Sequence, residues 1–205
     1  MVGAVPDDGL DDTAAIQAAI ASCLSGLVKT ISFPGGTLDV GSVEFPDELS
    51  VLILSGTVLR VAQDEIVTFS GPVSIGRYQV FEGDVSFPGQ SEVLVDWFGA
   101  RNDGTTDAST AVSRALSALG SDGNLVFGHG TYLMEETICI AASSKIIHIR
   151  GQGIDSTRII FNPSSNKTLF SFIPEGEGQL VWRSSLRDLS IYGDGEATKN
   201  RSQSP

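Results

Sequence analysis

Basic residues are scarce in this chain: 13 lysines and arginines stand against 25 acids, for a formal net charge of -12. A nucleic-acid footprint needs a basic patch, and so few cations assemble none. The same deficit disfavours contact with an anionic membrane surface. It leaves neutral and acidic sugars open as ligands, because a binding site is local while net charge governs mainly solubility. Cysteine is almost missing too. Cys23 and Cys139 lie far apart, fit no CxxC or zinc spacing and offer no disulfide framework. Both are expected to be small buried hydrophobes.

Other signals are lacking as well. No run approaches 18 apolar residues, so no segment reads as a membrane-spanning helix. The start, Met1-Val2-Gly3-Ala4-Val5-Pro6-Asp7-Asp8, has neither a basic n-region nor an apolar h-region. Export, if it occurs, is expected to use another route or a further segment. The polar end, Lys199 to Pro205, suits either a native tail or a cut through a longer chain. No HExxH pattern surrounds His129 or His148, no Gly-x-Ser-x-Gly elbow is present, and Cys139 has no neighbouring base. No metal and no cofactor is expected.

Glycine, by contrast, is plentiful at 23 residues, and short Val/Ile/Leu/Phe runs lie between the glycines. That pattern means many turns joining short strands. With 41% hydrophobic residues the 205-residue chain can bury a sizeable core.

An internal repeat organises the chain. Residues 11–20, DDTAAIQAAI, match residues 107–116, DASTAVSRAL, so that Ile16 and Ile20 fall on Val112 and Leu116. Upstream, Gly3-Ala4 corresponds to Gly99-Ala100 and Asp8-Gly9 to Asp103-Gly104. Downstream, Ser32-Phe33-Pro34-Gly35-Gly36-Thr37-Leu38 mirrors Val126-Phe127-Gly128-His129-Gly130-Thr131-Tyr132, and Val51 to Gly56 mirrors Ile146 to Gly151. The aspartates before each helical segment supply oxygens for orphan N–H groups and negative charge at the positive helix end. Ile16, Ile20 and Leu24 share a face, as do Val112, Leu116 and Leu119, so each helix has one stripe to bury. Gly26 and Gly120 stand where a glycine would stop each helix.

In the second copy, strands are expected near 124–127, 131–134, 137–140, 145–149, 157–161, 168–173, 180–182 and 186–192. Continuous runs such as Ile146-Ile147 and Ile159-Ile160-Phe161 suit parallel, buried strands. One helix followed by many strands excludes a doubly wound fold. A parallel β-solenoid with a helix plugging its open end, and so covering a bare strand edge, satisfies the pattern.

The string Val95-Asp96-Trp97-Phe98-Gly99-Ala100-Arg101-Asn102-Asp103-Gly104-Thr105-Thr106-Asp107 resembles the opening motif of pectate-lyase-superfamily β-helix proteins. Asp7-Asp8-Gly9-Leu10-Asp11-Asp12-Thr13-Ala14-Ala15-Ile16-Gln17 resembles the same motif, one residue shorter. Ile149 to Gly153, Thr157 to Ile160 and Leu186 to Gly193 look like that family's first coils, and 61–94 looks like a connecting segment. The resemblance implies a mainly β fold. It would be the start of a right-handed parallel β-helix over 95–205 with a short capping α-helix. A small β module with the same cap motif, residues 1–94 with their linker, would precede it. In style it is closest to phage tailspikes, which implies a homotrimer, contact with other virion components and a virion or extracellular location.

Residues for a function are few. The aspartates at 7, 8, 11 and 12 read as caps and turns rather than a calcium loop, whose spacing they lack. Gly151-Gln152-Gly153 precedes a strand, not a helix, so it reads as a coil corner and not a phosphate loop. Trp182 and Tyr192 offer flat apolar area for stacking on a sugar ring, whereas Trp97 belongs to the opening motif and reads as packing. Asp188 and Asp194 complete the candidate substrate-binding set near a coil end, with Asp188 and Ser190 on one face. No pair of carboxylates assembles at a catalytic separation from sequence. The leading expectation is a virion or cell-surface attachment segment with a structural and glycan-binding role. The alternative is a polysaccharide lyase or glycoside hydrolase whose catalytic coils lie beyond Pro205 or between chains. Scaffold membership leaves the chemistry open.

Overall fold

A computed structural model describes residues 3–33, 35–120, 122–141, 146–173 and 184–193. After helix α1 (Thr13–Ser25) the chain climbs in three-sided coils. The first is β1 (Thr30–Phe33), β2 (Gly36–Val40) and β3 (Val43–Phe45). The second is β4 (Ser50–Ile53), β5 (Thr57–Val61) and β6 (Ile66–Phe69). The third is β7 (Val73–Ile75), β8 (Phe81–Glu82) and β9 (Asp84–Ser86). Stacking joins them into three sheets, β1-β4-β7, β2-β5-β8 and β3-β6-β9. Residues 61–94, which resemble a connecting segment, thus carry strands of these sheets.

A second stack follows: β10 (Glu92–Leu94), the 3-10 turn Val95–Phe98, β11 (Asp103–Asp107) and α2 (Ser109–Ala118). Then come β12 (Asp122–Val126), β13 (Gly130–Met134), β14 (Ile138–Ala141), β15 (Ile146–Arg150), β16 (Thr157–Phe161), β17 (Phe170–Ile173), β18 (Ser185–Arg187) and β19 (Ser190–Gly193). Its sheets are β10-β12-β15-β18, β11-β13-β16-β19 and β14-β17. Every strand pair among the described residues is parallel. Among the described residues the architecture is mainly β with two α-helices, consistent with a parallel β-helix.

Strands alternate, and parallel in-register stacking puts like residues on like: Val43 beside Val67, Val67 beside Val85, and Phe45 beside Phe69. The inward positions therefore form ladders. Phe45 and Phe69 stack with ring centroids 4.7 Å apart and planes 6° from parallel. Phe69 stacks in turn on Phe87 at 5.4 Å, and Phe87 meets Trp97 at 5.7 Å. Each buried phenylalanine contributes about 1.5–3 kcal/mol by area, with about 0.5–1.5 kcal/mol more for a well-placed aromatic pair. One hydrophobic core runs from Ile16 to Leu169 through both stacks.

The sequence repeat is a structural one. Asp11 Oδ1 accepts from the backbone N and hydroxyl of Thr13, and Asp107 Oδ1 accepts from the N and hydroxyl of Ser109 at 3.0 and 2.6 Å. Each hydroxyl then receives an N–H from the next coil, Gly41 for Thr13 and Glu135 for Ser109. Gly36 and Gly130 also match: both have positive φ, and a Cβ would lie 2.4 Å from Pro6 Cβ or 2.8 Å from Asn102 O. The helices differ in what surrounds them. α1 lies against β1 and β3, whereas α2 packs on both β9 of the first stack and β14 of the second. The second helix thus sits inside the molecule rather than at an open end.

Several expectations need correction. Cys139 is exposed and Cys23 half-buried beside the core, because residue 139 alternates outward between buried Ile138 and Ile140. Leu24, expected on the buried stripe of α1, is 39% exposed. Gly26 does stop α1 at Ser25 as expected, its N–H donating to Ser22 O and Cys23 O, with extended rather than left-handed backbone (φ -94°, ψ -179°). α2 ends at Ala118 before Gly120, whose backbone instead approaches Pro88 O, 3.0 Å from where a Cβ would stand. The fourth repeat block is out of register: Ile31 pairs with Val51 while its equivalent Leu125 pairs with Ile149, so Val51 matches Ile149 and not Ile146. The single strand at 186–192 is two, because Asp188 takes φ +59° and turns a corner. The strand at 180–182 lies outside the described residues.

Candidate functional site

The sequence-chosen residues end in different places. Trp182 and Asp194 lie outside the described residues. Asp188 turns the corner between β18 and β19, with its carbonyl accepting from Gly153 N at 2.8 Å and its side chain exposed. Such a corner removes the shared face with Ser190, whose hydroxyl donates to Ile154 O. Gly151-Gln152-Gly153 is a corner as read, with Gly153 at φ +135°. Trp97 is buried, and its Nε1 donates to Gly76 O at 2.9 Å.

Tyr192 is the best placed of the set. On the β11-β13-β16-β19 sheet, inward Tyr132 and Ile159 stack under Ile191, so their neighbours point out. The outward ladder is Leu133, Ile160 and Tyr192, flanked by Thr131, Arg158 and Ser190. Tyr192 is 50% exposed, so this flank presents an aromatic face that continues two aliphatic ones, with the exposed Arg158 alongside.

A second place was not legible in the sequence. A cavity of about 330 Å³ opens where the stacks join, lined among others by Arg77, Gln79, Asp96, Arg101, Asn102 and Asp103. Asp96 enters it from the 3-10 turn, and Arg77 from the corner between β7 and β8, with Arg77 Nη1 donating to Asp96 Oδ2 at 3.4 Å. Burial raises the Asp96 carboxyl above its ordinary range, and the nearby Arg77 charge only partly opposes this. Tyr132 lies buried behind Asp96: its hydroxyl accepts from Gly128 N at 2.9 Å, and burial, then the Asp96 charge, push it up to about 12. Glycine at 128 gives both groups room, since a Cβ there would stand 3.0 Å from Arg77 Nη1 and from Tyr132 Oη.

Asp103 behaves oppositely. It accepts from the backbone N and hydroxyl of both Thr105 and Thr106 at 2.8–3.0 Å, and these donors, Thr106 N first, hold its carboxyl far below the usual range. Its lone pairs are spent on the turn that leads into α2. The cavity therefore offers one carboxyl raised by burial and one lowered by hydrogen bonds that commit it to the turn, not a free acid–base pair. Guanidinium and amide donors around a carboxyl suit hydroxyl groups better than bond cleavage. Only Asp96 and its neighbours in the opening motif hinted at this place; Arg77 is brought in by coil stacking.

Comparison with known proteins adds one finding. The family described as rhamnogalacturonase A/epimerase, pectate lyase-like, matches residues 93–201. No curated protein and no solved structure matches the chain. The matched stretch opens at β10, spans the second stack with its helix and covers just over half of the chain. The chain therefore belongs to the rhamnogalacturonase A/epimerase, pectate lyase-like family.

Proposed function

We propose that this chain is a polysaccharide-binding segment of a right-handed β-helix protein, the N-terminal part of a tailspike-like attachment component. It binds glycan on its flank and leaves any cleavage to other coils. The observation that carries this reading is the outward ladder Leu133, Ile160 and Tyr192 with Arg158 beside it. Flat apolar area flanked by a hydrogen-bonding cation is what a sugar ring with its apolar face and equatorial hydroxyls requires. Trp182, Asp188 and Asp194 belong to the same proposed region by sequence. Assembly as a homotrimer among virion components, in a virion or extracellular setting, completes the proposal, with α1 as the cap of the first coil.

The test is titration of the chain with a panel of capsular and pectic polysaccharides, followed by Tyr192→Ala. Loss of a stacking ring should weaken binding about threefold to tenfold, with folding retained. Unchanged affinity in Tyr192→Ala would remove the flank from consideration.

The second reading, a polysaccharide lyase or glycoside hydrolase, draws on the half-buried Asp96 carboxyl set among Arg77, Gln79 and Asn102 in the junction cavity, raised above its ordinary range by burial. Release of reducing ends or of unsaturated products by this chain, abolished in Asp96→Asn, would establish it in place of the first.

A further inference from the structure

We propose that the N-terminal end of the molecule is a docking surface for an extended partner segment. That segment adds as a parallel strand beside β1 and sets an aromatic side chain against the end of α1. The argument comes from the internal repeat, which shows the equivalent strand edge once covered and once bare.

In the second stack, β12 carries β10 on one edge and β15 on the other. Asn124 N donates to Ser91 O at 2.8 Å across the β10 edge. Just before β10, Phe87 pairs with Leu119, donates its N–H to Ala118 O at 2.8 Å and covers the end of α2. Leu119 is consequently 2% exposed and Ala118 1% exposed. The covering piece is a short run of chain, an aromatic residue followed by a three-residue strand.

The first stack repeats the strand edge without the cover, while α1 runs on to Ser25, past Ser22, the equivalent of Ala118, whose carbonyl accepts from Gly26 N. β1 is the equivalent of β12, with Thr30 in the place of Asn124, and it pairs with β4 alone among the described residues. Lys29 O and Phe33 O accept from Ser50 N and Leu54 N, so the groups of Thr30 and Ser32 face the open edge. Both residues are exposed. Facing Thr30 O is the Cys23 thiol, at 4.0 Å. Beside this edge stand Leu24, Leu27 and Val28, exposed by 39%, 102% and 67%. A lysine commonly blunts such an edge. Here the Lys29 ammonium is drawn onto the last carbonyls of α1, donating to Leu24 O at 2.6 Å and to Cys23 O. Strand addition to an open edge draws affinity from main-chain bonds and specificity from side-chain seats. Both are present, and the chain's own residues 87–94 show what fits.

The test uses the full chain extended at its N-terminus by a copy of residues 84–95 on a flexible Gly/Ser linker, which holds the probe at millimolar effective concentration. Amide exchange is read at residues 30–33. Docking should slow exchange at Thr30 and Ser32 at least tenfold. Fast exchange should return when the phenylalanine of the appended copy becomes serine, and also with Leu27→Asp plus Val28→Asp in the body, variants that leave the melting temperature unchanged. Unchanged exchange in the extended chain would overturn the proposal. So would slowing that survives the Phe→Ser change. Concentration-dependent slowing in the unextended chain, abolished by Leu27→Asp plus Val28→Asp, would overturn it in favour of a second copy as occupant.

Discussion

Asp103 and Asp96 line one cavity and answer to pH in opposite directions. The Asp103 carboxyl is depressed below its ordinary value of 3.8 by four donors. It stabilises the fold above that value, and the contribution fades as pH falls towards the depressed one. Asp103→Ala should therefore lower the urea midpoint at pH 7, with the gap to wild type narrowing by pH 2.5. The Asp96 carboxyl is raised, so its ionisation opposes folding, and stability is lost as pH rises from 3.8 through the raised value. Asp96→Asn should be more stable relative to wild type at pH 7 than at pH 3.5 in the same unfolding experiment. Tyr132→Phe removes the acceptor of the buried Gly128 N–H and should cost about 1–3 kcal/mol by chemical denaturation. None of these roles is visible in residue type alone. Asp103 reads as a helix-start aspartate, and in the fold it builds the turn before the helix.

The two helices were legible because their signals are local. Asp11 with Thr13, and Asp107 with Ser109, close the same short turn, and the apolar spacing that follows names Ile16, Ile20, Val112 and Leu116 correctly as buried. Ser109 does more than start a helix, since Oγ also receives Glu135 N and Glu136 N at 3.0 Å. Ser109→Ala takes this acceptor from Glu136 N and leaves Glu135 N with Asp107 Oδ1 alone, and should cost about 1 kcal/mol, read from the thermal midpoint. The ladders were less legible. Phe45, Phe69 and Phe87 are spaced unevenly along the chain, so no fixed period marks them, yet they stack face to face. Phe69 lies in the middle, fully buried, and Phe69→Ala should cost about 3–5 kcal/mol by denaturant unfolding. Strand limits failed at Asp188, where one residue in the left-handed region splits a run that looks continuous.

The core does not divide where the repeat does. α2 faces β9 below and β14 above, and Val112 is fully buried between them. Truncation at Val112 should therefore loosen both stacks together: Val112→Ala should speed amide exchange in β9 and in β14, within one unfolding transition. The duplicated motif, the parallel short strands and the family could all be read along the chain, because caps, turns and apolar periods are set by near neighbours. Which aspartate is raised by burial, which glycine gives Arg77 room beside Asp96 and which helix ends up enclosed were decided only by stacking. Those outcomes depend on residues about 20 or more positions apart being brought side by side, at distances no local pattern specifies.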